Sequence, residues 1–161
     1  MRLPTASLIA ALALALPLAA PAAEKPVDPY VQSDSNAGVT PIRGDAVFKA
    51  FHGKAGIDRI VHRLNQYHHS DPRLSDLFHA ADDARLERTL SEMFCYVLGG
   101  PCHYTGRDMA SVHKDMGAQI AQQNAQIEDL QKAMAEEQVP VWAQNRLLAR
   151  LAPLERVTVT R

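Results

Sequence analysis

The sequence predicts an all-α fold, and three observations support this. Apolar residues recur at steps of three and four over most of the chain after residue 44, which is the period of a helix with one buried face. Proline and glycine breaks separate these stretches. The β-branched, alternating run at 157–160 is too short and too close to the terminus to predict a sheet. With 161 residues, 47% of them hydrophobic, we expect one compact domain over 44–161.

Two different segments precede that domain. Arg2 is followed by an uncharged apolar stretch that ends in small residues, which is the layout of a secretory signal peptide over 1–22. Pro17 and Pro21 interrupt the stretch, so we favour cleavage over the alternative, an uncleaved membrane anchor. Residues 23–43 contain several prolines and serines but no apolar periodicity, so we expect a flexible linker. The mature protein is then expected to be periplasmic or secreted.

Five apolar stretches predict the helices of the domain. They cover 57–64, 86–97, 109–116, 120–134 and 141–151. The second stretch starts just after Asp82 and Asp83, whose carboxylates can cap free backbone N–H groups. It ends at Gly99, Gly100 and Pro101, because glycine tolerates left-handed torsions and proline cannot continue a helix.

The charge balance argues against two classes of partner. Seventeen Lys+Arg against eighteen Asp+Glu give a net charge of -1, so no basic excess is present to attract nucleic acid or an anionic membrane surface. No stable membrane association is therefore expected once the signal peptide is removed. The sequence also shows no local signature of Ser-His-Asp or Cys-His catalysis and no glycine-rich phosphate loop.

One histidine stands out in the third apolar stretch. His113 lies on the same helix face as Met109, Val112 and Met116. A buried imidazole needs a partner for each ring nitrogen, because an unpaired buried polar group costs about 1–3 kcal/mol. A metal on one nitrogen and a backbone carbonyl on the other would provide both partners, and so would two ordinary hydrogen bonds. The helix pattern alone favours the second interpretation, an ordinary core histidine.

Four blocks of the sequence carry a family resemblance. They are an aromatic and glycine-containing run at 48–57, an Asp-Pro-Arg-Leu run with a following Leu-Phe at 71–78, the Gly-Gly-Pro and Tyr-Thr-Gly-Arg-Asp-Met runs with His113 at 99–113, and an ending at 144–154. In this order and without an insertion between them, the blocks resemble the group I truncated haemoglobins. The resemblance covers nearly the whole domain.

The resemblance implies a short globin with a two-over-two helical sandwich around non-covalent haem b. His113 falls on the position of the proximal ligand, so its Nε2 is expected to bind the haem iron. The expected cofactor-binding residues are His113, Phe78, Leu86, Leu90, Phe94 and Met109. The apolar residues of the distal helix fit an ordinary helix core equally well. No Cys-x-x-Cys-His motif is present, so covalent c-type haem attachment is not expected.

The expected ligand side departs from the family pattern. Asn65 stands where many relatives have a tyrosine that donates a hydrogen bond to bound oxygen, and Leu90 stands where a polar residue often assists. The residues expected on the distal, ligand-binding side are Asn65, Leu86, Thr89 and Leu90. Because a well-placed donor stabilises bound oxygen by about 0.5–1.5 kcal/mol, we predict weak distal hydrogen bonding and no high-affinity oxygen storage.

The function that the resemblance implies is reversible binding of a diatomic gas, O₂, NO or CO, at haem iron held by His113. Nitric oxide dioxygenation, weak peroxidase activity and electron transfer stay open, and so does an unidentified reductase partner. Efficient peroxidase chemistry is disfavoured because no clear distal acid or base is present. Gln123 and Gln126 replace large apolar residues that relatives commonly have, so the proximal packing is expected to differ there.

Other residues support two alternatives to haem binding, which are a helical periplasmic metal-binding module and an interaction module without a cofactor. The metal-binding module would use surface imidazoles from six further histidines, which are His52, His62, His68, His69, His79 and His103. We expect the pair His68 and His69 to be solvated surface. Cys95 and Cys102 either form a disulfide in an oxidising compartment or remain two buried thiols. The colour of the purified protein separates haem from these alternatives.

Overall fold

The computed structural model describes residues 23–159. The predicted signal peptide at 1–22 and the final residues 160–161 lie outside this part of the chain. Residues 23–159 form helices joined by loops and contain no strand, so the predicted all-α fold is confirmed. Over the same residues, no helix combines the length and the apolar character needed to cross a membrane.

The helices of the described residues follow the predicted order. They are α1 (Ala46–Ala50), α2 (Gly53–Ser70), α3 (Ser75–Phe78), α4 (Asp83–Val97), α5 (Met109–His113), α6 (Ile120–Glu136), α7 (Val141–Leu151) and α8 (Glu155–Thr158). The five predicted stretches correspond to α2, α4, α5, α6 and α7. The other three helices have four or five residues, which is too short for a periodic pattern to show. As predicted, Asp82 caps α4, since its side chain accepts the backbone N–H of Arg85.

α2 lies at the centre of the fold. Along one face it buries Ile57, Ile60, Val61 and Leu64, each no more than 3% exposed, at the three- and four-residue steps that predicted the helix. α2 packs against α4 and α6, and α7 packs against both α4 and α6. The four long helices therefore pack around a common core, which agrees with the expected two-over-two sandwich.

A glycine after α4 allows the chain to turn tightly. Gly99 has a φ of 81°, and a Cβ at this position would lie 2.3 Å from the carbonyl oxygen of Gly44. No side chain fits there, and the left-handed torsion also favours glycine. Beside this turn the backbone N–H of Ile42 donates to the carbonyl of Val97 over 2.8 Å. The end of α4 is thus held against the segment that precedes α1.

Cys95 and Cys102 form a disulfide, with their Cα atoms 5.8 Å apart. The sequence left this pairing open. Cys95 is fully buried near the end of α4, whereas Cys102 lies in the loop that leads to α5. The bond therefore ties the second long helix to the loop that carries the chain toward His113.

Residues 23–43 differ from the expected flexible linker. Ala37 is fully buried, the Tyr30 hydroxyl donates to the carbonyl of Thr105, and Asp34 accepts the backbone N–H of Tyr104 over 2.7 Å. Single polar groups of Tyr30 and Asp34 make these contacts with a loop some 70 residues away, so apolar periodicity could not reveal them. We call this segment the N-terminal arm.

Removing the disulfide is expected to destabilise the fold. Cys102→Ala or reduction should lower the free energy of unfolding by about 2 kcal/mol, because the bond closes a short loop in the unfolded chain. Urea unfolding of wild type and variant, each with and without reductant, measures the difference. Reductant should have no further effect on Cys102→Ala. Equal midpoints for oxidised wild type and Cys102→Ala would contradict the stabilising role of the bond.

Candidate functional site

Two adjoining cavities lie in the interior of the helical sandwich. The first, of about 290 Å³, is lined by side chains of α2, α4, α5 and α6 together with the C-terminal residues. The second, of about 470 Å³, extends from α3, α4 and α5 to the N-terminal arm. Four residues line both cavities: Leu90, Met93, Met109 and His113. His113 is therefore one of the residues that form part of the wall of both cavities.

The end of α5 positions His113. Asp108 caps this short helix, because its carboxylate accepts the backbone N–H of Ser111 over 3.0 Å. His113 Nδ1 donates to the carbonyl oxygen of Met109 over 2.8 Å. Since a carbonyl only accepts, this bond sets the tautomer and leaves the lone pair on Nε2. No other hydrogen bond of this ring is found among the described residues.

The surroundings of His113 favour its neutral form. Burial lowers the pKa of His113 below its usual value, and the bond to the Met109 carbonyl only partly opposes this effect. A neutral imidazole with one nitrogen held by a backbone carbonyl is a common arrangement for a metal ligand in proteins. Apolar residues of α4 and α5 surround it in both cavities. The neutral imidazole of His113 and these apolar walls fit a flat, largely apolar iron cofactor such as the expected haem.

The six residues expected to bind the cofactor all line this interior space. Leu90, Met109 and His113 line both cavities, Phe94 lines the first, and Phe78 and Leu86 line the second. The structure therefore brings together residues from α3, α4 and α5 that are far apart in the sequence. Their contact with haem stays a prediction.

The two polar residues expected on the ligand side have their donors engaged elsewhere. Asn65 is 5% exposed but is not among the residues that line either cavity, and its Nδ2 donates to Glu87 Oε1 over 3.0 Å. Thr89 lines the second cavity, but its hydroxyl donates to the backbone carbonyl of Arg85 over 2.9 Å. Leu86 and Leu90 offer no hydrogen bond, so neither of them provides a donor on the expected ligand side.

His68 is not the solvated residue that we expected. It is only 3% exposed, lines the first cavity together with His113, and stacks on Phe78 with ring centroids 4.1 Å apart. Both ring nitrogens are buried without a hydrogen-bond partner among the described residues. Burial, aided by the neighbouring charge of His69, lowers the pKa of His68 to about 4. His68 is therefore neutral at pH 7.

A signal for His68 was present in the sequence. The buried positions of α2 continue from Leu64 by one more four-residue step to His68, so the apolar stripe extends to this ring. The adjacent His69 led us to predict a solvated surface for both residues, because two adjacent histidines resemble a polar run. His69 does behave as expected, since it is exposed and its Nε2 lies 2.8 Å from Asp83 Oδ1.

Gln123 and Gln126 line the first cavity from α6. Gln123 Oε1 accepts the hydroxyl of Thr158 over 3.2 Å, so this amide links α6 to α8. The two polar residues at which the sequence predicts a difference in packing therefore both lie in the cavity wall. The part of the first cavity wall that α6 provides is consequently more polar than the part that α4 provides.

The remaining histidines do not form a metal cluster. His52, His62, His79 and His103 are exposed, and the last of these pairs with Asp34 of the N-terminal arm. Within residues 23–159 no group of three or more His, Cys, Asp or Glu side chains is arranged to hold a metal ion. The alternative of a surface-histidine metal module gains no support from this part of the chain.

Comparison with known proteins adds independent findings. The sequence profile of the family described as bacterial-like globin matches residues 46–160. A group 1 truncated hemoglobin from Tetrahymena thermophila is 29% identical over 90 residues, which cover 56% of this chain and 74% of that protein.

Solved structures share the fold. The Fe(III) form of truncated hemoglobin from Tetrahymena pyriformis superimposes with a TM-score of 0.68 at 22% identity, covering 71% of this chain and 98% of that one. The 2/2 hemoglobin from Synechococcus sp. PCC 7002, in the cyanomet state and with covalently attached heme, gives a TM-score of 0.66 at 20% identity with the same coverage. At these identities the likeness supports the arrangement of helices.

Protonation of His68 is expected to destabilise the folded apo-protein. Its pKa is about 4 in the folded chain against an ordinary value of 6.5, so the unfolded state binds more protons between these values and stability falls as the pH drops through that range. His68→Phe keeps an aromatic ring on Phe78 and removes this titration. Between pH 7 and about pH 4.5, the variant should lose roughly 2 kcal/mol less stability than wild type.

Urea unfolding at the two pH values measures this difference. The exposed His69→Phe is the matched control and should keep most of the wild-type pH dependence, because burial is the larger cause of the lowered pKa of His68 and is unchanged in this variant. Parallel pH profiles for wild type and His68→Phe would show that His68 is not buried in its neutral form.

Proposed function

Because the chain belongs to the bacterial-like globin family, we propose that it binds haem through His113 and reversibly binds a diatomic gas, O₂, NO or CO, at the haem iron. The observation that carries this proposal is the geometry of His113. Its Nδ1 is held by the Met109 carbonyl, and the ring lines both interior cavities. The relatives whose names include hemoglobin support the same function.

The residues of the cavities would hold the cofactor without a covalent bond, as haem b. Both cysteines of the chain are joined to each other, so neither is free to form a thioether. Leu86, Leu90 and Phe94 offer apolar surface on the α4 side, where burial of the porphyrin would be favourable. Phe78 offers an aromatic ring at the edge of the second cavity.

Each residue of the site has a separate task in this proposal. Haem, when bound, would supply the iron that binds the gas. His113 supplies the Nε2 lone pair, and the Met109 carbonyl keeps the ring in the orientation and tautomer that this requires. The apolar side chains of Leu86 and Leu90 exclude water from the ligand side.

Weak hydrogen bonding of the ligand follows from the engaged donors of Asn65 and Thr89. Among the three gases, O₂ would depend most on a hydrogen-bond donor from the protein. We therefore propose that the protein exchanges its gas ligand readily and does not store oxygen.

We also propose that the protein is exported and works in the periplasm or outside the cell. The disulfide between Cys95 and Cys102 supports this location, because such bonds persist mainly in oxidising compartments. The signal peptide at 1–22 remains the sequence prediction on which cleavage rests.

Loss of the His113 ring is expected to abolish haem ligation. Wild type supplied with haem should show the absorption spectra of histidine-ligated haem in the ferric, ferrous and CO-bound forms. These spectra should collapse in His113→Gly and return when imidazole is added, because the small molecule can replace the missing side chain. The exposed His69→Ala is the control and should retain the wild-type spectra. A colourless wild type, or a haem spectrum indifferent to His113, would contradict the proposal.

Oxygen should leave the ferrous protein quickly. Relative to a truncated hemoglobin with a tyrosine at the position of Asn65, we expect dissociation about tenfold faster or more, since each 1.4 kcal/mol of lost stabilisation is a factor of ten. Stopped-flow mixing with excess CO measures the rate for both proteins side by side. Equally slow dissociation would show that the ligand has stronger hydrogen bonding than Asn65 and Thr89 provide.

A further inference from the structure

His68 differs in its position from the other buried side chains of the described residues that have unpaired polar atoms. Four buried side-chain atoms there have no hydrogen-bond partner: Asn65 Oδ1, both ring nitrogens of His68, and Asp129 Oδ2. Neither Asn65 nor Asp129 lines the cavity that contains His113, whereas His68 does. The residue that carries the unpaired ring nitrogens is therefore part of the wall of that cavity.

Packing does not explain why this residue is a histidine. The ring stacks on Phe78 at an interplanar angle of 17°, and a phenylalanine could make the same stack without two unpaired nitrogens. Burying polar atoms without partners destabilises a protein, and such groups in native structures require an explanation. A ligand that enters the cavity would give the ring the partner that it lacks.

The chemistry of the ring restricts the type of partner. A neutral imidazole has one N–H donor and one lone pair. α4 offers no free side-chain donor to the cavity, because Leu90, Met93 and Phe94 line it there. Gln123 and Gln126 reach the cavity from α6, on the other wall. Among the residues of α2 and α4 that line this cavity, His68 is thus the one able to donate a hydrogen bond.

We propose that His68 donates its ring N–H to a polar diatomic ligand held in the cavity that it shares with His113. The inference rests on the proposed function and specifies the residue that contacts the ligand. The proposed donor lies one helical turn beyond Asn65. Asn65 itself occupies the position at which many relatives have a tyrosine. The ligand then has a single neutral donor, which agrees with ready exchange.

The test uses the full haem-loaded protein with carbon monoxide as the probe. A hydrogen bond to carbon monoxide draws electron density onto the gas molecule, which weakens the C–O bond and lowers its stretching frequency. Infrared spectroscopy measures this frequency. His68→Phe should move the C–O band to higher frequency. His68→Gln keeps an N–H donor and should recover part of the wild-type position. The exposed His69→Phe is the matched control and should leave the band unchanged.

Oxygen dissociation gives a second measure of the same contact. Loss of one neutral hydrogen bond should accelerate dissociation from ferrous His68→Phe roughly two- to tenfold relative to wild type. The His69→Phe control should dissociate oxygen at the wild-type rate. Equal rates for His68→Phe and wild type would overturn the proposal.

The apo-protein provides a readout that needs no haem. His68→Phe should raise the urea midpoint at pH 7, because it removes two unpaired polar atoms and keeps the ring on Phe78. A lowered midpoint would show that the ring nitrogens have a structural partner, such as an ordered water, and would overturn the proposal.

The outcomes separate the role of His68 from haem binding itself. An unchanged C–O band in His68→Phe, with a haem spectrum that still depends on His113, would overturn the inference and leave the proposed function standing. If the wild-type spectrum shows two histidine ligands on the iron and the His68→Phe spectrum shows one, His68 binds the iron and does not donate a hydrogen bond to the gas. That result would also overturn the inference. A wild-type protein that takes up no haem would overturn both proposals.

Discussion

The hydrogen bond from His113 Nδ1 to the carbonyl of Met109 is the interaction on which the candidate site depends. It decides which nitrogen keeps the lone pair and in which direction the ring is held. α5 has only five residues, too few to be stable alone, so its neighbours must hold it. α8 packs against it, and the loop before it is anchored to the rest of the fold.

That loop is held from two directions. The disulfide between Cys95 and Cys102 fastens its start to α4, and Asp34 and Tyr30 of the N-terminal arm bond to its backbone farther along. α4 and α5 face the same interior space from opposite ends of this loop. Fixing the loop at Cys102, Tyr104 and Thr105 therefore restricts how far α5 can move from α4, which a site of defined geometry requires.

The sequence predicted the parts of the molecule that repeat with the helical period. The stripe of α2 from Ile57 to Leu64 and the position of His113 on an apolar face both follow from one-sided burial. The N-terminal arm and the bond from Asn65 to Glu87 depend on contacts between distant segments, which leave no local pattern. His68 continues the apolar stripe of α2 by one step, but two adjacent histidines suggest a polar run. Only the fold shows that the ring nitrogens of His68 are unpaired.

A crystal structure of the haem-loaded protein tests the central claim most directly. We expect the haem iron to be bonded to Nε2 of His113, while Nδ1 keeps its hydrogen bond to the carbonyl of Met109. Haem bound through a different side chain, or an iron bond to Nδ1 with the Met109 carbonyl released, would contradict it.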